Sequence, residues 1–264
     1  MAIRRGWYGA VHRMTQTWRA LALVFRSTDA RWRPAAAIRR RRCVRAMGGA
    51  ELETKLDALA RVPLAVSTWS DDNAHLSPFD IEVVDRPIAD LSSVGSAGFW
   101  VAPDDVRPEL DELAPRGRYD AIFVVWPSDG RVPLCGWGCS WGPSTAANGA
   151  GFSSITSDHW EHDASLPDPE EGFVHEWLHQ VEATYRSLGA GTDVVPSLHD
   201  AETLTSCRPE SEPPHGKTYR WWHDTKPDGT SWRRWYEDYM TGRIRRPDGS
   251  GCFGLSPEVW ALRG

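Results

Sequence analysis

Residues 171–189, EGFVHEWLHQVEATYRSLG, constrain this chain more than any other stretch, because several independent signals specify the same helix. Val174, Leu178, Val181, Tyr185 and Leu188 follow one another at steps of 4, 3, 4 and 3. At 3.6 residues per turn these positions form one apolar stripe, the face that must meet a core. The ends are marked as well. Asp168 suits the N-cap, Pro169 the first helical position and Glu171 the third, as in a capping box. Glu170 and Glu171 suit the positive end of the helix dipole and Arg186 the negative end, and Gly189 is a natural terminator.

Beside the stripe, His175, Glu176 and His179 spell H-E-x-x-H. At about 100° per residue the two histidines lie about 40° apart on one face, close enough to share a small metal ion. Zinc suits such a pair, since it accepts neutral imidazole and needs only a third protein ligand plus water. Glu176 follows the first histidine directly, where a carboxylate can take a proton from a metal-bound water. Glu182 is seven residues beyond His175 and about 20° off the ligand face. It either hydrogen-bonds a ligating histidine or stands solvated, and as a direct fourth ligand it would close the site and make the metal structural.

Charge divides the chain. Residues 1–50 hold twelve Arg, no Lys and no Glu, with Asp29 the only acid, whereas the whole chain is at −6. We read 1–50 as a basic, poorly ordered N-terminal extension and 51–264 as the folded domain. A nucleic-acid or membrane-binding arm and a targeting segment are the competing readings of the extension, and no specific nucleic-acid partner is expected. Leu21–Phe25 is too short for a signal-peptide core, and no apolar run has the length of a membrane span. The compartment stays open, with secretion compatible. Cys135, Cys139, Cys207 and Cys252 form an even set that either makes two disulfides or stays as free thiols. The 15 Trp imply an indole-rich core or an aromatic cleft.

Along the chain, Leu52, Leu56, Leu59 and Ala60 predict a short helix ending before Pro63, and 63–69 and 80–85 predict strands. Residues 104–113 predict a helix. Tyr119–Trp126, YDAIFVVW, predicts a central strand buried on both sides. Residues 135–151 are Gly-rich and read as a loop, followed by an edge strand at 149–155 that could pair with an extended peptide. His159 and His162 read as surface residues. Trp232, Trp235, Tyr236, Tyr239 and Met240 follow a helical rule, with Gly242 as the stop, and 257–262 predicts one further turn.

This combination of a mixed sheet, an edge strand, an HExxH helix and a mainly helical or irregular C-terminal half resembles the zincin metallopeptidases, an α+β fold. The resemblance covers 51–264, with the HExxH helix as its specific part. The metzincin continuation H-x-x-G-x-x-H is absent, because Glu182 and Tyr185 stand at those positions. The likeness is therefore to the gluzincins or to an uncharacterised zincin branch. In gluzincins the third ligand is a Glu about 20 residues beyond the second histidine, and here that count reaches His199, with Glu202 three further on. His199 is preferred as third ligand, with Glu202, Asp200 and Asp193 as alternatives, and Asp200 or Glu202 could instead orient an imidazole. The resemblance implies zinc-dependent hydrolysis of peptide bonds, by an endopeptidase acting on a peptide or protein, with Glu176 as general base. It also implies an oxyanion donor from the C-terminal half. Tyr236 and Tyr239 are preferred over His215, Tyr219 and His223. The alternative is a non-catalytic binding or structural module stabilised by its metal.

Overall fold

The computed structural model describes residues 17–32, 41–134, 136, 138–157, 170–202, 204, 206–208 and 233–263. Strands β1 (Ala20–Phe25), β2 (Asp80–Val84), β3 (Ala121–Trp126), β4 (Gly138–Trp141) and β5 (Gly151–Thr156) form one mixed sheet in the order β4-β5-β3-β1-β2. All neighbours are parallel except β4, which runs antiparallel to β5 along one edge. With helices as well as mixed sheets, the protein is α+β.

Every residue of β1, β3 and β5 is buried. Successive side chains of a strand point to opposite faces, so β1 and β3 feed two separate cores. Ala20, Ala22, Val24, Ala121, Phe123 and Val125 enter one; Leu21, Leu23, Phe25, Ile122, Val124 and Trp126 enter the other. The first face carries small residues, and that leaves room for Trp18, Trp69, Trp177, Trp235 and Trp260. The indole-rich core is built here, under helices α1 (Gly49–Trp69) and α3 (Glu171–Ser187). The opposite face is covered by α2 (Arg107–Leu113) and by a three-stranded sheet of Ser27–Trp32, Arg41–Ala46 and Ile88–Asp90.

Several expectations hold. The strand at 80–85, the helix at 104–113, the central strand ending at Trp126, the helix around Tyr236 and the last turn at Pro257 are all present. Others need correction. The division at residue 50 fails, because β1 lies between β3 and β2 inside the main sheet. An Arg count averages over positions and misses the six-residue apolar run ALALVF, which is long enough for a strand though too short for a membrane segment. Residues 63–69 are helical, not extended, and α1 runs through Pro63. Proline inside a helix costs about 3 kcal/mol, but burying Leu59, Val62, Val66 and Trp69 returns roughly 1.5–3 kcal/mol for each side chain.

The predicted edge strand is an interior one. β5 pairs with β3 on one side and β4 on the other, so the edge belongs to β4, inside the segment read as a loop. Leu188 is 55 % exposed, so the apolar stripe of α3 ends at Tyr185. The predicted cap at Asp168 and Pro169 lies outside the described residues. Among the cysteines, Cys207 and Cys252 form a disulfide, while Cys43 and Cys139 are free.

Candidate metal centre

Helix α3 packs across β4 and β5 at unusually short range, and glycine permits it. A Cβ added at Gly138 would lie 2.4 Å from Cδ of Glu176, and one at Gly151 would lie 2.7 Å from Cβ of Gln180. The helix therefore starts fully enclosed, with Glu171 to Leu178 buried without interruption. This is more burial than a polar face beside a core stripe would give. His175 is 1 % exposed and Glu176 2 %.

His175 and His179 turn the same ring atom towards each other, Nε2 to Nε2, at 3.1 Å. Two nitrogens on one tetrahedral zinc, each about 2.0–2.1 Å from it, stand roughly 3.3 Å apart. The pair is thus spaced as ligands of a single ion. Helix α4 (Leu198–Ala201) brings His199 alongside, with ring centres 4.7 Å from His179 and 5.8 Å from His175. One nitrogen from each of the three rings lies within 4.8 Å of the others, close enough to hold a metal ion. Burial grades outward from His175, which is buried, through His179 to the exposed His199, so the centre opens on the His199 side.

Carboxylates and a phenol stand behind the rings. Oε1 of Glu202 is 3.8 Å from Nδ1 of His175, and its Oε2 is 3.5 Å from Nδ1 of His199. The Tyr236 hydroxyl is 3.3 Å from Nδ1 of His175, and its ring stacks on Trp69. Glu182 approaches His179 at Nδ1, 3.9 Å away, and accepts a hydrogen bond from the Leu198 amide at 3.1 Å. It thus stands on the side of His179 remote from the facing Nε2 atoms. Such outer partners fix ring orientation and raise the basicity of the ligating nitrogen.

Electrostatics favour neutral imidazole on the helix. Burial, then His179 and His199, holds the His175 pKa well below the usual range, and burial followed by His199 brings that of His179 to about 3. His199 is shifted the other way by its contact with Glu202. Burial pushes the Glu176 and Glu202 carboxyls up to about 7 each.

The structure thus brings together His175, His179 and His199, and the charge of Glu176 on the same helix is felt at His199. Of the other ligand candidates, Glu202 stands behind two rings, and neither Asp200 nor Asp193 joins the converging group found among the described residues. Tyr236 reaches the back of His175, whereas the Tyr239 hydroxyl donates to the Pro196 carbonyl at 2.9 Å. His159, His162, His215, Tyr219 and His223 lie outside the described residues. Four contributors went unread in the sequence: Gly138, Ser140, Ser153 and Gln180. Ser140 donates to Oε2 of Glu176 at 2.6 Å from a strand whose GCSW sequence looks like loop.

No protein-family model, curated protein sequence or solved structure matches this chain. None of the helices among the described residues is long and apolar enough to cross a membrane.

Proposed function

We propose that the protein is a zincin-like hydrolase of peptide bonds, an endopeptidase that uses zinc held by His175, His179 and His199. The observation that carries this reading is the convergence of three imidazoles, two of them on the helix that also carries the buried carboxylate of Glu176, whose charge is felt at His199. Three imidazole nitrogens with an open side suit a catalytic zinc, because structural zinc sites take four protein ligands. Glu182, the one candidate for a fourth ligand on the helix, is engaged by the Leu198 amide behind His179.

Bound zinc would supply a Lewis acid able to acidify a water near neutral pH. The rest of the work falls to the chain. Glu176 takes the proton of the attacking water and returns it to the leaving amine, so no net proton is consumed. Its buried setting suits a base meant to work near neutrality, since such a carboxylate gains more by accepting a proton than a solvated one does. Strand β4 ends the described sheet beside Glu176, and its outer backbone groups can align an extended peptide as an added strand. That role moves to β4 from the 149–155 segment. Tyr236, bonded to the rear of His175, serves as a positioning residue in this scheme, and Tyr239 supports the His199 segment.

Replacing Glu176 with Gln tests the proposal. One zinc per chain should remain, and cleavage of a peptide library should fall by at least about 100-fold. Undiminished cleavage by the zinc-loaded variant would refute Glu176 as the base. X-ray absorption on the zinc-loaded protein addresses the structural-module alternative, which requires four protein ligands and no water.

A further inference from the structure

We propose that Ser140, fed by Ser153 and Gln180, is a positioning residue that holds the Glu176 carboxylate in its working orientation; this rests on the hydrolase reading above. The fixed point lies deep in the sheet. The Gln180 amide nitrogen is 3.2 Å from the carbonyl oxygen of Ile122, in β3. Only an N–H can face a carbonyl oxygen, so this contact sets which way round the amide lies. Its second N–H then points at Oγ of Ser153, 2.6 Å away.

Each hydroxyl has one proton to give. Ser153 accepts from Gln180, and its own proton has the Ser140 oxygen at 2.7 Å, nearer than the Glu176 carbonyl at 3.2 Å. Ser140 in turn has Oε2 of Glu176 at 2.6 Å, against 3.1 Å to the Glu176 carbonyl. An ionised carboxylate can only accept, so the proton of Ser140 goes there. The outcome is one directed row, Gln180 to Ser153 to Ser140 to Glu176. Each donor in such a row is polarised by the bond it accepts, which strengthens the last one.

Burial and register make the row rigid. Gln180 and Ser153 are fully buried, and Ser140 and Ser153 are direct partners in the β4–β5 ladder. With Oε2 held by Ser140, Oε1 is the oxygen that accepts the proton of the attacking water. A carboxylate that loses this hold can still be buried and basic, but it spends time in orientations that do not face the reacting atoms. The expected defect is in turnover, not in substrate binding.

The test compares wild type, Ser140→Ala and Ser153→Ala as zinc-loaded full chains, each checked for one zinc and for unchanged circular dichroism. Ser140→Ala should lower kcat about 10- to 100-fold with KM within about twofold, the size expected for losing a hydrogen bond to a charged group. Ser153→Ala should fall between it and wild type. Crystal structures of the same three proteins supply a readout that needs no activity: a single Glu176 conformer in wild type, and a displaced or divided one in Ser140→Ala. An unmoved carboxylate with kcat within twofold of wild type overturns the proposal, as does a rise in KM that accounts for the whole loss. If zinc-loaded wild type cleaves no peptide, the hydrolase reading fails, and the Glu176 conformers still decide whether Ser140 holds the carboxylate.

Discussion

His175 and His199 face the same point from very different supports. His175 projects from a 17-residue helix whose first two turns are wholly buried, and its ring meets Tyr236 behind it. His199 projects from a four-residue helix, and its side chain is 61 % exposed. What steadies it comes from elsewhere: Tyr239 donates to Pro196, Glu182 accepts from the Leu198 amide, and Glu202 backs the ring. One imidazole is positioned by the core, and the other by a few polar ties. A cluster built this way can keep two rings fixed while the third side stays accessible.

Single substitutions should separate the two supports most strongly. His175→Ala and His199→Ala should each weaken zinc binding by more than the about 10- to 100-fold typical of removing an outer partner. Their effects on the metal-free protein should differ. His175→Ala opens a cavity and strands buried polar neighbours, so it should cost about 2–4 kcal/mol of stability. His199→Ala alters an exposed side chain and should stay within about 0.5 kcal/mol. Chelator competition and urea unfolding measure both quantities. Equal stability losses would mean that His199 is as embedded as His175, and the contrast would be lost.

Removing the metal probes the same asymmetry without mutation. Treatment with a chelator should abolish hydrolysis, and added zinc should restore it. In the metal-free protein, amide exchange at 198–202 should quicken by about tenfold or more, while that at 173–181 stays as it was, because local opening follows local burial. Faster exchange across α3 would show that the ion, not the indole core, holds the helix.

The same contrast explains what could be read from the sequence. Helix α3 is legible because its stripe, its terminator and its HExxH all lie within one continuous periodic segment, and the stripe residues Val174, Leu178, Val181 and Tyr185 are all buried, although the first two turns and Gln180 are buried as well. His199 is legible only through a spacing borrowed from a resemblance; nothing in PSLHDA itself marks a ligand. Strand β4 left no trace, since four residues containing Gly and Ser carry too little periodicity to stand out from a loop. Yet Gly138 and Ser140 are small for a reason, because Glu176 occupies the space above one and the hydroxyl of the other bonds to it. Strand β1 was hidden differently: its apolar run is plain, but the arginines around it dominate the composition of the first fifty residues.

The smallest expected effect is the most specific. Tyr239 is fully buried, and its hydroxyl has the Pro196 carbonyl as partner at 2.9 Å. Tyr239→Phe keeps the ring and deletes one neutral hydrogen bond, a net loss of about 1 kcal/mol. If that bond steadies the approach to His199, part of the loss should appear as weaker zinc binding, about two- to fivefold. Exchange at the 198–202 amides should rise while α3 stays protected. If Tyr239 acted as the oxyanion donor, the same substitution would instead lower kcat by about 100-fold or more with zinc affinity intact. Zinc affinity and kcat measured on this one variant therefore distinguish a tie that holds the exposed ligand from a group that takes part in the reaction.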